Sequence, residues 1–173
     1  CPVSEPMILL PSPHIRSLLR NEPGTFPALM DLYVCNYINM RRLLPAMPDQ
    51  PVDLVSRIPG NLDLHLRFIE RFRYTSELNL TYRFSQSGAV FAEPDLQIRV
   101  YHDARLAEVV TAHLRHHPAF DAESLAVRFA DGTQLYSRWK INRFLFKWLN
   151  YCLRQGHRFA DYRLSNRPEA TPT

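Results

Sequence analysis

Between Leu62 and Phe84 the even-numbered positions stay largely apolar. Leu62, Leu64, Leu66 and Phe68 alternate with Asp63, His65 and Arg67, and Leu78, Leu80, Tyr82 and Phe84 alternate with Glu77, Asn79, Thr81 and Arg83. Strand side chains point to opposite faces with a period of two, so this pattern builds a sheet with one apolar and one polar face. A single strand over that stretch would far exceed the usual length of about 3–10 residues. A turn around Glu70–Arg73 therefore splits it, although no Gly or Pro marks the place. Val52, Leu54 and Ile58 suggest an earlier strand ended by Pro59-Gly60, and Leu96, Ile98 and Val100 a later one beyond a loop at Ser85–Gly88. Residues 105–111 fit a returning strand after a turn at His102–Ala104, with a helix as the alternative.

A sheet with one apolar face needs a cover, and two amphipathic helices can supply it. Thr25 is a suitable N-cap and Pro27 suits a first turn. Beyond them Phe26, Leu29, Met30, Tyr33, Tyr37, Met40 and Leu44 recur at helical spacing, and Pro45 and Pro48 stop the run. Near the other end, Ser137 can cap a helix in which Ile141, Phe144, Leu145, Trp148, Leu149 and Cys152 form one apolar stripe. Gly156 fits the position just past its C-terminus. The expected class is α+β: an antiparallel β-sheet meander packed against an N-terminal and a C-terminal amphipathic helix. Five prolines mark residues 1–24 as an arm with at most a short helix near His14–Arg20. Residues 25–160 make a single globular domain, since 173 residues suffice for one core. Residues 161–173 form a polar tail.

Several functions are excluded. The five glycines are scattered, at 24, 60, 88, 132 and 156. Dinucleotide-binding and phosphate-binding loops need clustered glycines so that the backbone can approach a phosphate. No GxSxG, HExxH or kinase signature occurs, and no apolar run approaches the roughly 20 residues of a membrane span. Cys1, Cys35 and Cys152 are odd in number and widely separated, which argues against a disulfide framework or a zinc site and for a reducing cytoplasm. Cys35 and Cys152 are expected to be small buried core residues. His113, His116 and His117 could share a helical face and bind a metal, but Pro118 follows and no acidic ligand is adjacent, so a solvated loop is preferred. No cofactor or metal is expected.

Two groups of residues carry chemistry. In a meander, alternate turns share an end of the sheet. The turns near 71 and 103 would then gather Glu70, Arg73, Tyr74, Arg99, Tyr101, His102, Asp103 and Glu108. A histidine held by an aspartate can act as a general base; alternatively, the aspartate caps the turn and the histidine is solvated. The second group is the polar face of the C-terminal helix, where Lys140, Arg143, Lys147 and Arg154 lie opposite the apolar stripe. No Asp or Glu occurs between Gly132 and Ala160. Such a face can follow a phosphate backbone or meet an acidic protein, and Trp139 and Tyr151 lie near enough to stack on bases. The preferred reading is a solvated face over a packed underside, with Asp or Glu arriving from elsewhere in the fold, and Trp139 and Tyr151 can as well be buried.

Scattered through this framework are Asn36-Tyr37 with Arg41-Arg42-Leu43-Leu44-Pro45, Arg73-Tyr74-Thr75, Arg99-Val100-Tyr101-His102-Asp103-Ala104 with Ala107-Glu108-Val109, and Ile141-Asn142 with Phe144-Leu145, Trp148-Leu149, Cys152-Leu153 and Gly156. On these residues the chain resembles the YqiB-like family of bacterial proteins, a domain of unknown function, from about Tyr33 to Gly156. The resemblance implies a cytoplasmic bacterial protein and supplies no activity. Two functions remain open. One is a non-enzymatic binding or regulatory protein that recognises an anionic partner, nucleic acid or acidic protein. The other is an enzyme or small-ligand sensor with its site at the His102-Asp103 turn.

Overall fold

The computed structural model describes residues 20–113 and 135–160. The proline-rich arm apart from residues 20–24, the segment with His116 and His117, and the polar tail all lie outside the described residues. In chain order the elements are helix α1 (Phe26–Leu43), strands β1 (Val52–Ser56), β2 (Asp63–Arg71), β3 (Thr75–Gln86), β4 (Ala89–Tyr101) and β5 (Leu106–His113), and helix α2 (Leu135–Gln155). The five strands form one antiparallel sheet in sequence order, β1-β2-β3-β4-β5.

Register converts the alternation into geometry. One cross-strand row runs Leu54, Leu66, Leu80, Leu96, Ala112, and the next runs Val52, Phe68, Leu78, Ile98, Val109. Directly opposed side chains share a face, so both rows lie on the helix side, and from Leu66 and Phe68 onward they are buried. From Leu106 the stretch 105–111 is strand, not helix: Val109 and Ala112 complete these rows and Ala107 pairs with Val100, while Arg105 belongs to the turn. The first hairpin turn is tighter than the sequence suggests. Strand β2 runs through Arg71, so Glu70 is a strand residue and the turn is Phe72–Tyr74, closed by a Phe72 N–H to Thr75 carbonyl bond of 2.8 Å. A register shift between Phe68 and Glu70 inserts Ile69 and returns Glu70 to the polar face opposite Glu77. At the β3–β4 hairpin, Ser87 and Gly88 both have positive φ, 53° and 79°. Two such residues match the twist of a two-residue hairpin turn.

Helix α1 starts as expected: the Thr25 side chain accepts from the Ala28 N–H, Pro27 sits in the first turn, and Arg41 and Arg42 in the last. Helix α2 is already helical at Leu135, so Ser137 lies inside its first turn rather than capping it. Its C-terminus closes with Gly156 at φ 94° and the His157 N–H reaching back to the Cys152 carbonyl at 3.1 Å. Ile141, Leu145, Trp148, Leu149 and Cys152 join Met40, Leu43 and Leu44 over the apolar face. Trp148 meets Tyr82 edge-on at 5.5 Å, and the Tyr82 hydroxyl lies 3.3 Å from the Cys152 sulfur. Burial pushes the thiols of Cys35 and Cys152 up to about 11, as suits inert core residues. Past the helix, the His157 Nδ1 sits 2.9 Å from the Ser56 hydroxyl, so the chain crosses the sheet from β5 to β1.

Asn142 fixes the start of that crossing. It is 1% exposed. A bulge at Val110 interrupts the outer strand, and the Val109 N–H donates to Asn142 Oδ1 at 3.0 Å. The Asn142 amide donates to the Arg138 carbonyl at 2.9 Å, and its own carbonyl accepts from the Asn36 side chain at 3.2 Å. One side chain thus ties β5 to α2, and its backbone ties α2 to α1. Removing it leaves a buried N–H without a partner, a loss of about 1–3 kcal/mol. Asn142→Ala is expected to lower the free energy of urea unfolding by that amount or more. The same change at Asn150, whose amide bonds only within the helix to the Phe146 carbonyl, should cost under about 0.5 kcal/mol. Equal losses at the two sites would refute the role of Asn142.

Candidate functional site

The turn end of the sheet is assembled as the meander requires. Thr75 pairs with Tyr101, and the His102 N–H donates to the Tyr74 carbonyl at 2.8 Å, so the β2–β3 and β4–β5 turns are neighbours. The candidate residues then separate onto two faces. Arg99, Tyr101 and Glu108 lie on the polar face. Arg99 is held by Glu77 through its Nε at 2.9 Å and a second guanidinium nitrogen at 2.6 Å, and the Tyr101 hydroxyl donates to Glu108 at 2.6 Å. Burial and the Glu108 carboxylate together hold the hydroxyl of Tyr33, reaching over from α1, well above the ordinary tyrosine range. These acids and their partners satisfy one another.

His102 turns the other way. Its Nε2 lies 2.7 Å from the hydroxyl of Ser76, a fully buried residue of the helix-facing side. Asp103 does not hold the imidazole: its carboxylate accepts the Ala104 N–H at 2.8 Å and caps the turn. Burial, with the charges of Arg71 and Arg41 added, keeps the imidazole below its ordinary value. Arg73 and Tyr74 stand exposed at the turn with the guanidinium 5.0 Å over the ring, and Glu70 is exposed beside them. Strand spacing alone brings the 71 and 103 turns to one end of the sheet but does not single out Ser76, Glu77 or Tyr33. Ser76 carried a usable signal, as a small polar residue at an even position in an otherwise apolar alternation. Tyr33 carried none, because its meeting with Glu108 depends on how α1 lies against β5.

The outer face of α2 is organised differently. Arg143, Lys147 and Arg154 are exposed and Lys140 is half-buried. Tyr136, 55% exposed, stacks on Trp139 at 5.7 Å, with Lys140 5.6 Å over Tyr136 and Arg143 5.4 Å over Trp139. Trp139, Arg143, Phe146 and Lys147 line a groove of about 320 Å³ against α1. The acid in that groove, Asp31, is engaged by the Asn21 amide. Among the described residues the ion pairs are Arg57–Asp63, Arg67–Asp53, Arg71–Asp49 and Arg99–Glu77, all on the sheet and its flanking loops. None includes Arg143, Lys147 or Arg154. No group of three or more His, Cys, Asp or Glu among the described residues converges to hold a metal, and no helix there is long and apolar enough to cross a membrane.

A family model described as "Protein of unknown function (DUF1249)" matches residues 39–158. The chain belongs to this family. It is 32% identical over 133 residues to "Uncharacterized protein YqiB" of Escherichia coli K12, a match covering 76% of this chain and 90% of the relative, and equally similar to the proteins of that name from two further E. coli strains, CFT073 and O157:H7. No solved structure matches the chain significantly. The matched region contains the whole sheet, α2 and the His102 turn, and begins inside α1.

Three imidazoles share one electrostatic condition. His65, His102 and His157 are all held below the ordinary value, with burial the first cause in each. The unfolded chain therefore takes up these protons first, at about pH 6.5. Stability present above that pH is lost as the pH falls toward the folded values. Urea unfolding is expected to show declining stability from about pH 7 to pH 5, and His102→Gln a shallower decline. An NMR midpoint for His102 at or above 6.5 would contradict this.

Proposed function

We propose that this chain is a cytoplasmic, non-enzymatic binding protein that recognises an anionic partner, nucleic acid or an acidic protein surface, through the outer face of α2. The observation that carries the reading is the ion-pair distribution. Arg67, Arg71 and Arg99 of the sheet are each matched by a carboxylate, whereas three cations on one helix face, Arg143, Lys147 and Arg154, point outward with no carboxylate partner among the described residues. Lys140 to Arg154 spans about 21 Å of helix at 1.5 Å per residue, long enough to meet several charges of an extended partner. The guanidinium of Arg143 is also held in place by the Trp139 ring, which lowers the entropy lost on docking. At the His102 turn, by contrast, the histidine is bonded to a buried serine and the aspartate to its own turn. That arrangement suits structure better than proton transfer.

The test uses two probes, a fluorescent single-stranded oligonucleotide and a poly-glutamate peptide, titrated at several salt concentrations. At least one should bind, with affinity falling steeply as salt rises. Arg143→Glu/Lys147→Glu/Arg154→Glu should weaken it at least tenfold, about 1.4 kcal/mol, while the circular dichroism spectrum stays unchanged because all three positions are exposed. Binding of neither probe, or equal binding by the variant, would sink the proposal.

A further inference from the structure

On the side of the sheet away from the helices lies a second cavity of about 320 Å³. A break in the register forms one of its walls. Thr81 pairs with Asp95 but Arg83 pairs with Ala92, so the strands bend at this point and carry Arg83 and Ala92 beyond the flat part of the sheet. His65, Asn79 and Thr81 lie between that wall and the Asp53–Arg67 pair on the far side. The volume falls at the small end of ligand sites, which run from about 300 to 1,000 Å³.

The charges in this cavity are unusual in one respect. Arg67 is neutralised by Asp53 at 2.9 Å. Arg83 and Asp95 face the same space, yet no ion pair joins them; burial holds the Asp95 carboxyl above its ordinary value, with His113 opposite it on β5, and then Arg83, pulling the other way. Arg83 has no carboxylate partner among the described residues. Asp95 has the Asn79 amide on one oxygen at 2.7 Å, and Asn79 Oδ1 is buried without any donor. The imidazole of His65 is held below its ordinary value by burial and by Arg83. The cavity thus offers a cation at one side and, at the other, a carboxylate with an unpaired amide oxygen close by. A ligand that satisfies both must carry an anion and a cluster of N–H donors a few bonds apart. A simple anion would leave the Asn79–Asp95 side without donors, and a simple cation would leave Arg83 unpaired.

We propose that this cavity binds a small zwitterion of the free α-amino-acid class, its carboxylate on Arg83 and its ammonium on Asp95 and Asn79 Oδ1. The site lies on the opposite side of the sheet from α2 and is independent of the reading of that helix.

The experiment is thermal unfolding of the full chain with each common L-amino acid in turn at about 10 mM, which fills roughly nine-tenths of a site with a Kd near 1 mM. At least one should raise Tm by about 3–6 °C. Its N-acetyl and its carboxamide derivatives, each lacking one charge, should not. Arg83→Gln, at an exposed position that leaves the core untouched, should weaken binding at least tenfold by calorimetry, and Asp95→Asn should do the same. Arg143→Glu, on the other side of the molecule, should leave it unchanged. No shift with any amino acid, equal shifts with the blocked derivatives, or full binding by Arg83→Gln would each overturn the proposal.

Discussion

The rows Leu54-Leu66-Leu80-Leu96-Ala112 and Val52-Phe68-Leu78-Ile98-Val109 present a broad apolar surface to one side of the sheet. Such a surface is favoured only when removed from water, at about 25 cal/mol for each Å² of apolar area. Most of the remaining structure follows from that requirement. It recruits the apolar stripe of α2 and the C-terminal half of α1. It places Trp148 on Tyr82 and sends the chain on across the sheet until His157 reaches Ser56. The polar side of the same strands is left free to carry chemistry, because the alternation that buries one set of side chains presents the other.

This division explains how polar groups are distributed. On the helix side they are few and mostly specific: Ser76 on His102, Ser56 on His157, and Asn142 on the outer strand. On the open side they form a lattice across the strands: Asp53 with Arg67, Asn79 with Asp95, Glu77 with Gln97 and Arg99, and Glu108 with Tyr101. Exposed pairs of this kind add little stability, about 0–1 kcal/mol each. Their value is in holding side chains at fixed positions above the sheet. Among the described residues, Arg83 and Asp95 stand on this side as opposite charges facing one space with no ion pair between them.

Periodicity made the fold largely legible. Period two gave the strands and their apolar side, and period 3.6 with a cap and stop signals gave both helices. Boundaries that depend on a single residue were harder. The turn at Phe72–Tyr74 lacks Gly and Pro, and Ser137 resembles a cap although the helix starts before it. The candidate sites were legible only in part. Spacing brought the 71 and 103 turns to one end of the sheet, but the face on which each side chain falls depends on the bulge at Ile69 and on the turn geometry. The cavity beside Arg83 was hidden because it is made by a register break between Thr81 and Arg83. Pro94, between Ala92 and Asp95, marks a bulge in the strand but not which side chains the break sets around a cavity. The exposure of the α2 arginines did follow from the apolar stripe opposite them.

The sheet is built in the order in which the chain is read, each strand pairing with the one before it. Such contacts are local and form quickly. Its cover is not: α1 precedes all the strands and α2 follows them. During synthesis the meander can therefore be complete while the last helix is still inside the ribosome. Until Leu135–Gln155 emerges, the rows ending at Ala112 and Val109 stay wet on their apolar side, and the outer strand lacks the amide that receives the Val109 N–H. This interval is when the nascent chain is most open to association with other chains. A truncation within α2 would make that interval permanent.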